Sequence, residues 1–96
     1  MAEAEVEVRN PSGLHARPAA TFVRAAAALA VDVRVTNLTR DADKSVSAKS
    51  VLGVMGLGVA RGHRIRLAAD GPDAEAAVAT LADLVASGLG EEVEGP

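Results

Sequence analysis

Gly13-Leu14-His15-Ala16-Arg17-Pro18, followed directly by the alanine-rich run Ala19 to Ala30, decides how the rest of the chain is read. Upstream, Asn10-Pro11-Ser12-Gly13 is turn chemistry. Downstream, Phe22, Ala26 and Leu29 recur on one helical face beside Ala19, Val23 and Ala30, which predicts a helix over about 16–30. His15 therefore stands at a helix N-terminus, where N–H groups without intrahelical partners and a partial positive charge suit an anion. Pro18 fits the first turn, because the N–H it lacks would have had no partner there. Arg17 adds a guanidinium able to grip phosphate oxygens in pairs. An imidazole is nucleophilic when unprotonated, so a histidine facing an anion site can carry a phosphoryl group covalently. On the spacing alone, a histidine that merely ends the turn beside a surface arginine is an equally open reading.

Working outward, Glu5-Val6-Glu7-Val8-Arg9 alternates with period two and predicts a strand with Val6 and Val8 inward. Val31 to Thr36 alternates again, Asn37 to Asp43 is polar and turn-like, and Lys44 to Ala48 is a weaker third strand, so a hairpin joins them. Ser50 is a good N-cap for a short helix through about Leu57, limited by Gly53, Gly56 and Gly58. Arg61-Gly62-His63 is a turn, and Arg64 to Ala68 alternates as a fourth strand. Asp70-Gly71-Pro72-Asp73 starts a third helix that runs to about Ser87. Its core stripe is Ala77, Val78, Leu81, Leu84 and Val85, and Gly88 is its stop. The order βαββαβα with half-polar strands predicts an α+β fold, an antiparallel sheet with three helices on one face and solvent on the other. Residues 1–90 are expected to form one domain, and 91–96 a mobile acidic tail.

The chain has 96 residues, is 49% hydrophobic and contains one phenylalanine with no tryptophan or tyrosine. Its core must therefore be built in thin layers from alanine, valine, leucine and isoleucine. Cysteine is absent, so no disulfide framework or thiolate metal site exists. No basic and apolar leader opens the chain and no run reaches membrane-spanning length, so the expected location is the cytoplasm, without membrane insertion. A net charge of −3 and the lack of aromatic platforms argue against nucleic acid as a partner. Arg9, Arg17, Arg24, Lys49 and Arg61 nevertheless cluster in or beside the two glycine-containing segments, which suits an acidic partner and a phosphoryl group. No cofactor and no metal are expected: His15 and His63 as a pair lack the further ligands a metal needs, and His63 reads as a surface residue. Asn37-Leu38-Thr39 matches the glycosylation pattern by chance. No nucleophilic triad, carboxylate pair or phosphate loop points to an autonomous enzyme.

Gly13 to Ala19 resembles the active-site signature of the HPr family, the histidine-containing phosphocarriers of the bacterial phosphoenolpyruvate-dependent sugar phosphotransferase system. Lys49 to Gly58 resembles the family's regulatory-serine region, and Gly88-Leu89-Gly90-Glu91 the usual end of the domain. The loop between the second and third strands is longer than in the commonest members.

The resemblance implies an open-faced β-sandwich with strand order 1-4-2-3. It implies a monomeric phosphoprotein that takes a phosphoryl group onto Nδ1 of His15 from enzyme I, with Arg17 stabilising the phosphate, and passes it to enzyme IIA domains in sugar transport. It implies docking contacts at Ala16, Ala20, Arg24, Lys49, Val51, Leu52 and Met55, although a helical stripe such as Val51, Leu52 and Met55 is equally readable as core. It also implies regulation at Ser50 by a dedicated HPr kinase/phosphorylase, with recruitment of a transcriptional regulator, although capping alone explains a serine there. Two further readings are a regulatory paralogue acting through Ser50, and a carrier for a nitrogen, fructose or dihydroxyacetone kinase branch.

Overall fold

Alternation and helical periodicity locate every element of the computed structural model, which describes residues 1–91. The elements are β1 (Ala2–Glu7), α1 (Ala16–Ala27), β2 (Arg34–Asn37), β3 (Ser45–Ser47), α2 (Val51–Gly56), β4 (Arg64–Ala69) and α3 (Ala74–Ala86). The sheet is antiparallel throughout, in the order β1-β4-β2-β3.

Register explains why one face is dry and the other wet. Val6 pairs with Ile65, Ala4 with Leu67, and Leu67 in turn with Val35, so small and branched apolar side chains line one face. Ile65, Leu67 and Val35 are fully buried beneath the helices, against Phe22, Leu81 and Val85. One residue along each strand, the pleat turns Glu3, Glu5, Arg64, Arg66 and Arg34 to the opposite face. Glu5 meets Arg64 there at 3.8 Å with both side chains about half exposed, a surface pair worth at most ~1 kcal/mol. Alanine lets the helices come close: Ala19, Ala26, Ala74 and Ala77 are all buried. Phe22 supplies the one large ring of the core, and truncating it to alanine would cost about 3–5 kcal/mol.

Boundaries differ from the periodicity in identifiable ways. β1 ends at Glu7, yet Val8 stays fully buried because its N–H donates to the His63 carbonyl at 2.8 Å. α1 stops at Ala27, three residues short of Ala30: the N–H groups of Ala28 and Leu29 turn back to the carbonyls of Ala25 and Ala26, tightening the last turn. β2 starts at Arg34 rather than Val31, although Val33 is already buried and its carbonyl accepts the Ala48 N–H at 2.8 Å. Asn37, expected to open the loop, is instead the last residue of β2 and is buried. α3 starts at Ala74, since Asp70 to Asp73 form a turn closed by the Ala74 N–H on the Gly71 carbonyl.

Candidate functional site

The backbone hands His15 to solvent at the point where the chain changes from extended to helical. His15 is the N-cap of α1, with φ −125° and ψ 156°, and its side chain makes no cap hydrogen bond. The ring is exposed and has no hydrogen-bond partner among the described residues. Ala16, the first helical residue, has φ 50°, a left-handed conformation that costs a residue with a Cβ of order 1 kcal/mol. Pro18 is the third helical residue and is buried, so its missing N–H costs no helix bond, while Ala16 and Arg17 face solvent beside the unpartnered start of the helix. The Arg17 guanidinium makes no hydrogen bond or ion pair among the described residues.

What precedes His15 is held firmly. Gly13 has φ 59° and a Cβ there would lie 2.9 Å from Ala60 Cα, closer still to the Val59 carbonyl oxygen, so only glycine fits. The Leu14 N–H donates to that same Val59 carbonyl at 3.0 Å, and Leu14 is fully buried. Behind Val59 stands a network that composition and periodicity did not reveal. His63 is half-buried, a correction to its reading as a surface residue: its Nδ1 accepts from the Ala60 N–H at 3.2 Å and from Asn37 Nδ2 at 3.0 Å. Two donors on Nδ1 place the ring proton on Nε2. Asn37 Nδ2 also donates to the Leu57 carbonyl at 3.2 Å, and its Oδ1 accepts from the N–H groups of Thr39 and Arg40. The one available signal was a polar residue at the end of an apolar alternation.

Glu91, grouped in the sequence with the tail, is tied back to the turn before His15. Its Oε1 accepts from Asn10 Nδ2 at 3.1 Å and from the Ser12 N–H at 2.9 Å, and its Oε2 from the Ser12 hydroxyl at 2.8 Å. The Asn10 bond, then the two Ser12 bonds, hold its carboxyl below the usual carboxylate range, against a smaller upward push from desolvation; the Arg17 charge adds a lesser downward pull. The remainder of that tail, 92–96, lies outside the described residues.

Ser50 caps α2: its Oγ accepts from the Gly53 N–H at 3.0 Å and the residue is exposed. Lys49 reaches across to α1, its Nζ donating to the Leu29 carbonyl at 3.1 Å. α2 packs against α1 with Val54 inward, and beyond it Leu57 is buried too. Leu52 is 82% exposed, Val51 42% and Met55 39%, so these three are surface rather than core. Arg24 is exposed in the last turn of α1, and Ala20 is half-buried. Among the described residues no group of three His, Cys, Asp or Glu converges on a point, and no helix is long and apolar enough to cross a membrane.

Comparison with known proteins carries these observations to a family. Residues 2–87 match the family model described as the PTS HPr component phosphorylation site. The chain is 52% identical over 92 residues to the phosphocarrier protein HPr of Streptomyces coelicolor, covering 95% of each. It is 44% identical over 86 residues to the multiphosphoryl transfer protein of Haemophilus influenzae; the match takes in 90% of this chain but only 17% of that much longer one. Among solved structures, an HPr crystal structure from Thermoanaerobacter tengcongensis superposes with a TM-score of 0.87 at 43% identity, covering 97% of this chain and 100% of the other. With the 1-4-2-3 sheet, the open face and a bare histidine at the head of α1 all in place, the chain belongs to the HPr family of phosphocarriers of the phosphotransferase system.

Proposed function

We propose that His15 is the phosphoryl acceptor, charged by phosphorylated enzyme I and discharged by enzyme IIA domains in sugar uptake. The observation that carries this reading is the exposed N-cap imidazole with no hydrogen bond to its own helix. A ring engaged in capping would have to break that bond before reacting; this one has nothing to give up. The lone pair of Nδ1 attacks phosphorus as the bond from phosphorus to the donor breaks. The donor keeps that electron pair, and the Nε2 proton stays on the ring. Discharge runs the same exchange to the next acceptor, so the chain acts as a carrier rather than an autonomous enzyme.

Arg17 and the unpartnered amides that open α1 are the groups that stabilise the bound phosphoryl oxygens. Helix-terminus charge effects contribute about 0.3–1 kcal/mol at an exposed site. That is enough to orient a phosphoryl group and too little to trap it. The exposed Val51, Leu52 and Met55 supply an apolar docking surface, with Ala16, Ala20 and Arg24 on α1. Lys49 uses one of its three donors on the Leu29 carbonyl and keeps two for a partner. For Ser50, the observed cap bond favours the structural role; phosphorylation by a kinase would add charge at the same exposed oxygen and alter docking.

Incubation with enzyme I and labelled phosphoenolpyruvate tests the carrier reading. Acid-labile, base-stable label should map to His15 and vanish in His15→Ala, with Arg17→Ala labelled more slowly. Label that persists in His15→Ala places the acceptor elsewhere and refutes it.

A further inference from the structure

We infer that Glu91 is a positioning residue for the phosphoryl relay: its carboxylate, clamped across Asn10 and Ser12, fixes the turn that decides where His15 stands. The inference rests on the proposed role of His15. Glu91 offers both oxygens to this turn, Oε1 to Asn10 Nδ2 and the Ser12 N–H, Oε2 to the Ser12 hydroxyl. Asn10 is fully buried, and its Nδ2 is shared between Glu91 and the Gly13 carbonyl, the latter at 2.9 Å. Its Oδ1 is buried with no partner among the described residues. The amide cannot turn over to relieve that oxygen, because Oδ1 would then face the Gly13 carbonyl and the Glu91 carboxylate, acceptor against acceptor. The turn thus keeps an unpaired buried acceptor in order to serve two others, one of them Glu91.

Gly13 is pinned separately by its fit against Val59 and Ala60. The four residues Asn10 to Gly13 are therefore held at two points, by Glu91 at Asn10 and Ser12 and by the 59–60 segment at Gly13, and His15 follows Gly13 by two residues. The carboxyl is ionised at neutral pH, and its hydrogen bonds to Asn10 and Ser12 lower its proton affinity because a charged acceptor makes the stronger bonds.

Single-turnover transfer from enzyme I charged with labelled phosphoenolpyruvate tests the inference on parent, Glu91→Ala, Glu91→Gln, Ser12→Ala and the Glu91→Ala/Ser12→Ala double variant, each below its melting temperature. Glu91→Ala should lower the maximal transfer rate about fivefold while leaving the half-saturating donor concentration unchanged. Glu91→Gln keeps an acceptor for Asn10 and the Ser12 N–H and should stay within about twofold of parent. The double variant should be no slower than Glu91→Ala alone, since the Ser12 hydroxyl bond is already among the three lost with Glu91. A parental rate in Glu91→Ala, even with a lowered melting temperature, overturns the inference and leaves Glu91 a structural tie. A parent that takes no label removes the relay itself, a failure recognisable because the rate in every variant is then zero.

Discussion

Replacing Gly13 with alanine isolates the geometry on which the site depends. Three contributions set the magnitude. Holding a residue with a Cβ at φ 59° costs about 1–2 kcal/mol. The new Cβ would overlap the Val59 carbonyl oxygen and lie 2.9 Å from Ala60 Cα, both backbone atoms that no rotamer change can move aside. Relieving the overlap separates the two segments and breaks the 3.0 Å bond from the Leu14 N–H to Val59, leaving a buried donor unpaired at about 1–3 kcal/mol. Against this, alanine restricts the unfolded chain and returns about 0.4–1 kcal/mol. The net expectation is a loss of about 2–4 kcal/mol, a large share of the 5–15 kcal/mol typical of a domain. It should appear as a fall of roughly 10–25 °C in melting temperature for a chain of this size. Urea unfolding followed by far-ultraviolet circular dichroism, with calorimetry alongside, measures both. A loss below about 1 kcal/mol would mean that Gly13 and Val59 are not pressed together as described, and the account of a rigid turn ahead of His15 would fail with it.

Three further substitutions probe the surroundings. Ser50→Ala removes the acceptor for the Gly53 N–H and should lower stability by about 1 kcal/mol, read as a shift in urea midpoint at constant slope; an unchanged midpoint would show that the cap contributes nothing. Asn37→Ala strands the Leu57 carbonyl and the N–H groups of Thr39 and Arg40 together, with an expected loss of about 2–3 kcal/mol, and faster amide exchange at Ala60 and Leu14 should accompany it. Glu91 binds its proton more weakly in the folded chain than in the unfolded one. Its contribution is therefore complete above the ordinary carboxylate value and is lost as pH falls through the lower folded value. The melting-temperature gap between parent and Glu91→Gln should be steady above the ordinary carboxylate range and shrink as the pH falls below it, and a constant gap throughout would contradict the assignment.

Periodicity was enough to place the elements because each is amphipathic on its own: Phe22, Ala26 and Ala19 mark the buried stripe of α1, and Ile65 and Leu67 the buried side of β4. The order in which the strands pair was not available from those patterns and came from the resemblance to HPr proteins. Element ends were the least legible, since they are decided by single hydrogen bonds such as Ala28 N–H to Ala25. The same division runs through the site. His15, Arg17 and Ser50 lie in short segments whose chemistry is local, so spacing singled them out as a helix-end histidine, its arginine and an N-cap, while their expected roles came from the resemblance. Asn37 and His63 are 26 positions apart, and Asn10 and Glu91 are 81 positions apart. No window on the sequence contains either pair, and each residue alone reads as an ordinary polar surface group.

Those distant pairs divide the labour of the site. Val59 and Ala60 hold the turn at Gly13 and Leu14, backed by His63 and Asn37, and Glu91 holds it at Asn10 and Ser12; neither set hydrogen-bonds the imidazole. The backbone that presents His15 is thus restrained by groups from the middle of the chain and from Glu91, while its ring and the Arg17 guanidinium are exposed. A carrier needs that combination. If His15 is the acceptor proposed above, contacts on the ring itself would have to be broken at every phosphorylation and remade at every release, adding to both barriers. On the proposed role of His15, restraint applied through the backbone would not have to be undone when a phosphoryl group arrives, so it would orient the ring without favouring either state.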